Sequence, residues 1–441
     1  MVKALKRHVK AFMLSTLAAC LTLSFGAGAM AKQKMQSTSY QTVTEIEDWG
    51  PAITKVVLDI GTPIPKDSVT TDTFKVHVVR SDSRLTPPFL EEGDRVVTKA
   101  YVSDKNGDPA VKMGKYVVLE MQIGPNVSLG LPINYDRRTG FNAWITNTYT
   151  ITQQKEITTP SGKISGLVID TFAGGVRVLA DEFTTGKATH DNITLSYASY
   201  APAKDNKKNP LIIWLHGAGE GGTDPTIAIA ANKAVNFASE EIQSYFDGAY
   251  VLAPQTPTFW MDGFTGFGDG TSKYEKSLMA LIQDYVAANK DIDTSRIYIG
   301  GDSNGGYMTM LMIRDYPDYF AVAFPTCEAL KDTLITDADI QKMKDIPIWF
   351  TAAKTDPIVI PSSYVIPTYN RLVQAGARNV QLSLFDDVHD TSGLYKQADG
   401  RPYEYNGHWS WIYVFNNECT AIMNGKQTTI MEWLAAQSLT K

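Results

Sequence analysis

Among its 441 residues this chain has only three cysteines and six histidines, and nowhere do they gather with carboxylates at metal-ligand spacing. Neither a metal centre nor any other cofactor is expected. Positive charge is short as well: 41 Lys and Arg face 47 Asp and Glu, a formal net charge of −6 that leaves no basic surface for nucleic acid. Low-complexity tracts are missing, and 44% apolar with 20% charged residues is a globular composition. No blade-like repeat recurs along the chain, which argues against a β-propeller. The length exceeds one ordinary domain and suits two with substantial cores.

A membrane-spanning run is also wanting. Residues 11–25 are almost wholly apolar, but small residues and glycine interrupt the run before the ~20 residues that a spanning helix needs. Preceded by Lys3, Lys6, Arg7 and Lys10 and followed by Ala29-Met30-Ala31, it reads as an export signal over residues 1–31. The mature chain would begin near Lys32 and be secreted or periplasmic. Leu17-Ala18-Ala19-Cys20 resembles a lipobox, which offers lipid anchoring at Cys20 as the alternative. Two cysteines then remain, Cys327 and Cys419, and an oxidising compartment predicts that they bond to each other.

Residues 40–160 are a succession of short β-rich pieces. The segments 53–60, 73–79, 95–102, 116–123 and 143–152 alternate branched, aromatic and polar residues, separated by turn formers such as Gly61-Thr62-Pro63 and Gly124-Pro125-Asn126. Such spacing predicts a β-sandwich. His77 stands alone within one of these strands and is read as structural. Thr158-Thr159-Pro160-Ser161-Gly162 reads as a linker. Beyond it, residues 161–441 alternate strands (193–200, 211–215, 249–253, 297–299, 321–324, 348–351, 380–385) with helices (225–237, 274–289, 429–437). This alternation predicts an α/β domain, a mostly parallel sheet covered by helices on both faces.

Chemistry concentrates in that second domain. Ser303 lies in Gly301-Asp302-Ser303-Asn304-Gly305, between the apolar run 297–300 and a helical pattern over 307–316. A strand, a glycine-pinched turn and a helix form a nucleophile elbow, in which the serine hydroxyl is exposed at the end of a sheet. A hydroxyl is a poor nucleophile until a base takes its proton, so a histidine oriented by a carboxylate is required. His8 leaves with the signal, His77 belongs to the first domain, His190 lies early in the second, and His216 sits in a glycine-rich loop. His389, in Asp386-Asp387-Val388-His389, and His408, in Gly407-His408-Trp409-Ser410-Trp411, remain, and position leaves both open. Asp356 follows the buried strand 348–351 and falls between serine and histidine in the chain, which makes it the predicted acid. Asp386, Asp387 and Asp390 are weaker candidates.

His216-Gly217-Ala218-Gly219-Glu220-Gly221-Gly222 follows the strand 211–215. Its free N–H groups, near Gly217 or Ala218, would join that of Asn304 in an oxyanion hole. No Gly-Lys-Ser/Thr ending supports a phosphate loop. Phe259 and Trp260, after the strand 249–253, suit either a pocket wall or the core, and Trp260 is taken as the pocket residue.

With these motifs together, the second domain resembles the esterases grouped near prolyl oligopeptidases and polyhydroxybutyrate depolymerases. The first, with its Trp49-Gly50-Pro51-Ala52-Ile53 opening, resembles the immunoglobulin-like N-terminal domain of some bacterial secreted esterases. The resemblance implies an α/β hydrolase fold behind an immunoglobulin-like sandwich. It also implies ester hydrolysis through an acyl-enzyme on a Ser-Asp-His triad, and favours His408 over His389 as base. The expected partner is a small or medium ester. A polyester or acylated polysaccharide held by the first domain, a peptide cleaved by a prolyl-oligopeptidase-like peptidase, and an inactive binding protein on a hydrolase scaffold are the alternatives.

Overall fold

The computed structural model describes residues 37–439; the expected export signal, Cys20 included, lies outside the described residues. Among the described residues no helix is long and apolar enough to cross a membrane.

Period-two alternation builds the first domain. Every second side chain of Phe74–Asp82 is buried, as a strand covered on one face requires. One sheet runs in the order Phe172–Arg177, Ser39–Glu47, Gly50–Pro65, Met113–Met121, Val97–Ser103; the other runs Val168–Ile169, Thr146–Gln153, Phe74–Asp82, Phe89–Arg95. Val56, Leu58, Val117 and Leu119 of the first sheet meet Val76, Val78, Tyr149 and Ile151 of the second in a closed core. Burying each aliphatic chain of this kind contributes about 1.5–3 kcal/mol.

Three local readings of the sequence are corrected here. The run 95–102 is not one strand: Arg95 ends one and Val97 begins another in the opposite sheet, and Val96 between them is exposed. The run 143–152 also splits. Phe141–Trp144 pairs with Ile133–Asp136 in a separate hairpin, and the sandwich strand starts only at Thr146. The expected linker is itself a tight hairpin, Ile157–Thr159 against Gly162–Ile164. Beyond it Val168–Ile169 and Phe172–Arg177 still pair with the two sheets of the sandwich.

The second domain is built on an eight-stranded sheet. Its order is Thr184–His190, Ile193–Tyr200, Tyr250–Gln255, Asn209–Leu215, Ile292–Asp302, Val322–Thr326, Ile348–Ala353, Val380–Phe385. The first two strands run antiparallel to their neighbours, and the other six are parallel. Helices Glu275–Ala288, Asn304–Asp315 and Val365–Gln374 cover one face and Glu240–Phe246, Trp411–Phe415 and Ile430–Ala435 the other, giving two cores back to back. The single helix expected over 225–237 breaks. An α-helix ends at Ala230, Lys233 takes a positive φ of 69°, and a short 3-10 turn follows. The break leaves the Lys233 ammonium bonded to Asp48 of the first domain (2.6 Å) and to Asn416 (3.0 Å), tertiary contacts that override helix propensity.

Candidate active site

The strand Ile292–Asp302 runs into the helix Asn304–Asp315 with one residue between them, Ser303. Its φ of 54° and ψ of −113° cost a residue with a Cβ about 1–3 kcal/mol. Hydrogen bonds hold it there. The Ser303 N–H donates to the Thr326 carbonyl at 2.9 Å, and its own carbonyl accepts from the N–H groups of Tyr307 (2.9 Å) and Ala329 (3.2 Å). A Cβ at Gly305 would overlap the Leu215 carbonyl oxygen, so the helix can cross the sheet this closely only with glycine at that position.

Two strands along, past the end of Ile348–Ala353, Asp356 is 4% exposed. One of its oxygens accepts the N–H groups of Ile358 (2.8 Å) and Val359 (2.9 Å), and the other lies 2.8 Å from Nδ1 of His408. An ionised carboxylate only accepts, so the His408 Nδ1–H donates and Nε2 keeps its lone pair. That is the tautomer a general base needs. His408 is fixed further by its N–H on Asn406 Oδ1 (2.9 Å) and by the edge of Trp411, ring centres 5.6 Å apart. Ser303, Asp356 and His408 thus gather at the carboxyl edge of the parallel sheet, where α/β sheets carry ligands. Cys327 marks the ground between them: its backbone follows the adjacent strand, and burial, with the nearby Asp302 and Asp356 carboxyls, pushes its thiol pKa up. Among the described residues no hydrogen bond joins the Ser303 hydroxyl to His408, a contact that often tightens only when substrate binds.

His389 is placed differently. Its Nδ1 meets Asp387, two residues away, at 2.5 Å, on side chains 43% and 40% exposed. Beyond it the chain leaves the sheet as a ribbon, with Val388 paired to Tyr405 and Asp390 to Tyr403. The ribbon returns the chain to the rim, so the later histidine faces the acid.

In the glycine-rich loop, His216 is fully buried. Its Nδ1–H donates to the Gly217 carbonyl at 2.6 Å and its Nε2 accepts the Thr256 N–H at 3.1 Å. Burial lowers its pKa to about 4, so it is a neutral strut tying two strand ends. Ala218–Glu220 follows as a 3-10 turn. Asn304 opens its helix, so its backbone N–H has no intrahelical acceptor, while its side chain accepts from Met261 N–H at 3.0 Å.

Beneath the loop lie two carboxyl groups that sequence reasoning did not single out. A Cβ at Gly217 would sit 2.5 Å from Oδ2 of Asp302 and 2.9 Å from Oε2 of Glu220, so the two acids converge under that glycine. Desolvation raises Glu220 to about 7, and desolvation with Glu220 nearby raises Asp302 well above its usual range. Asn232 donates to Asp302 at 3.1 Å. Acidic residues among glycines in two motifs were the available signal; nothing in the sequence joined the two.

Residues 39–166 match the esterase Ig-like N-terminal domain, and residues 276–352 match the prolyl oligopeptidase family. The chain has the α/β hydrolase fold behind an esterase-type immunoglobulin-like domain. The solved structure of a thermostable esterase superposes with a TM-score of 0.74 at 26% identity, covering 91% of this chain and 99% of that one. Feruloyl esterase B of Neurospora crassa is 29% identical over 158 residues, 34% of this chain and 49% of its own length. Poly(3-hydroxyalkanoate) depolymerase C of Paucimonas lemoignei is 30% identical over 140 residues, 30% of each chain. The chain therefore spans about half or less of the length of these two curated relatives.

Two further expectations are corrected. Trp260 of this α/β hydrolase is fully buried, its ring 5.3 Å from His216 and 6.2 Å from Tyr274, so it is core rather than pocket wall. Its neighbour Phe259 is the more accessible ring and packs on Phe141 and Phe267. Cys327 and Cys419 are both free and buried, not bonded. The Cys419 thiol faces a hydroxyl instead, 3.4 Å from Thr351 Oγ1. Burial lifts the Cys419 thiol to about 12, which keeps it protonated and unreactive.

Proposed function

We propose that the chain is an exported serine carboxylesterase. Ser303 attacks the ester carbonyl while His408 takes its proton and passes it to the departing alcohol, and Asp356 holds the imidazole and stabilises its charged form. The N–H groups of Asn304 and of Gly217 or Ala218 receive the oxyanion; each such donor is worth about 3 kcal/mol in the transition state. Water then releases the acyl group through the same base. The observation that carries this reading is the buried 2.8 Å bond between Asp356 and His408 at the same sheet edge as a serine held at φ 54°. The names of the matched proteins, esterases and a polyester depolymerase, agree in reaction class. Export rests on the signal pattern of residues 1–31.

Ser303→Ala tests the reading. Turnover of a chromogenic acetyl ester is expected to fall by up to about 10⁶, with loss of fluorophosphonate labelling. Near-normal hydrolysis by that variant would overturn it.

A further inference from the structure

The short turn that carries the proposed oxyanion donors does not hold its own shape. Ala218–Glu220 is one 3-10 turn, and its closing bond, Glu220 N–H to the Gly217 carbonyl, is long at 3.4 Å. Its position is set from outside. Gln255 donates to the Glu220 carbonyl at 2.8 Å, and the other external clamp comes from the immunoglobulin-like domain. There the hairpin of Ile133–Asp136 and Phe141–Trp144 stands apart from both sheets of the sandwich. From it, the Asn142 amide donates to the Gly219 carbonyl (3.1 Å) and to Glu220 Oε1 (3.3 Å). Phe141 closes over Gly221, where a Cβ would come within 2.7 Å of its ring. Further along, the Trp144 indole donates to Thr226 Oγ1 at 2.8 Å.

We infer that Asn142 is a positioning residue for ester hydrolysis: from the other domain it grips both the backbone and the acidic side chain of the turn, and so fixes where the Gly217 and Ala218 N–H groups point. This rests on the esterase reading. One amide holds two acceptors at once, the Gly219 carbonyl and a Glu220 carboxyl that the backbone N–H groups of Gly217 and Glu220 also hold. Without it the Gly219 carbonyl loses its donor and the Glu220 carboxyl loses the partner that ties it to the other domain, and the turn is free to drift from the oxyanion. Displacements of about 1 Å in such groups cost about 10²-fold in rate. The first domain therefore acts on every ester, small ones included, rather than only on polymers.

The test uses the full-length protein, p-nitrophenyl acetate and a boronic acid that forms a tetrahedral adduct on the serine. For Asn142→Ala, kcat is expected to fall about 10- to 100-fold with KM within about twofold and an unchanged melting temperature. Boronate affinity falls in step with kcat. Asn142→Asp, which cannot donate and faces Glu220, loses more, while Asn142→Gln keeps the donor and regains part of the rate. Trp144→Phe loosens the same hairpin without touching the turn, and kcat is expected to stay within about twofold. Unchanged kcat and boronate affinity in folded Asn142→Ala and Asn142→Asp would overturn the inference. So would a loss in Trp144→Phe equal to theirs, since domain docking alone would then explain it. If the wild-type protein neither turns over ester nor takes label at Ser303, the esterase reading itself falls, before any Asn142 variant is compared.

Discussion

Two histidines follow the last strand of the sheet, each paired with a carboxylate, and the pair with the shorter contact is the less constrained. His389 and Asp387 meet at 2.5 Å across two residues, on side chains 43% and 40% exposed. His408 and Asp356 meet at 2.8 Å across 52 residues, on side chains 8% and 0% exposed. An exposed pair is screened by water and typically contributes about 0–1 kcal/mol, so either partner can leave it cheaply. The buried pair cannot part. Asp356 is already tied down by two backbone N–H groups, its remaining oxygen has one partner, and separating them would strand a carboxylate in the interior. Site quality is set by how completely the surroundings determine a pair, not by the length of its one hydrogen bond.

The largest effect that can break this comparison is loss of the base. His408→Ala is expected to lower kcat on a chromogenic ester by about 10⁴ to 10⁶, whereas His389→Ala stays within about twofold. Steady-state kinetics on both variants decide it, and the reverse outcome would assign the base to the exposed pair. A smaller loss follows from altering the orienting group. Asp356→Asn keeps the shape but can donate to Nδ1, favouring the wrong tautomer; kcat is expected to fall by about 10² to 10⁴ with KM little changed. If Asp356→Asn matched wild type, the buried pair would be structural only.

The sequence already carried the strand–serine–helix unit, because a glycine-pinched turn between an apolar run and a helical pattern is a local signal. Asp356 was legible for the same reason, as a residue just past a buried strand. The choice between His389 and His408 was not open to local reading. It depends on the ribbon from Val388 to Tyr405, whose legs pair over a long loop and return the chain to the rim. Trp260 and Asn142 show the same boundary. An aromatic residue after a strand fits a pocket or a core equally well until packing is known. Asn142 meets its partners 77 and 78 residues away, in another domain. Within the first domain the places where the chain crosses between sheets, at Val96 and Ile145, are marked only by adjacent apolar residues (Val96-Val97, Trp144-Ile145) and by no glycine or proline, so a strand pattern runs through them.

A third pair, also buried, sharpens the comparison with the smallest effect. Asp302 and Glu220 are buried, like Asp356, yet they face each other rather than an imidazole, so the interior favours their protonated forms. Glu220 titrates near 4.5 when unfolded and about 7 when folded. Between these values the folded state holds a proton that the unfolded state has released, so this group's contribution to stability is full below pH 4.5 and is lost as pH rises toward 7. His216 acts in the opposite sense, its folded pKa lying at about 4 below the usual 6.5, so its contribution is lost as pH falls through that window. Comparing wild type with Glu220→Gln cancels the histidine. Glutamine keeps an acceptor for Asn142 and can turn an N–H toward Asp302, so the variant is expected to gain stability relative to wild type as pH rises from 4.5 to 7. Urea denaturation at pH 4.5, 5.5 and 7 measures this difference. A difference that does not change with pH would mean that the carboxyl under Gly217 is already ionised in the folded protein, and that burial at this edge of the sheet does not set its charge.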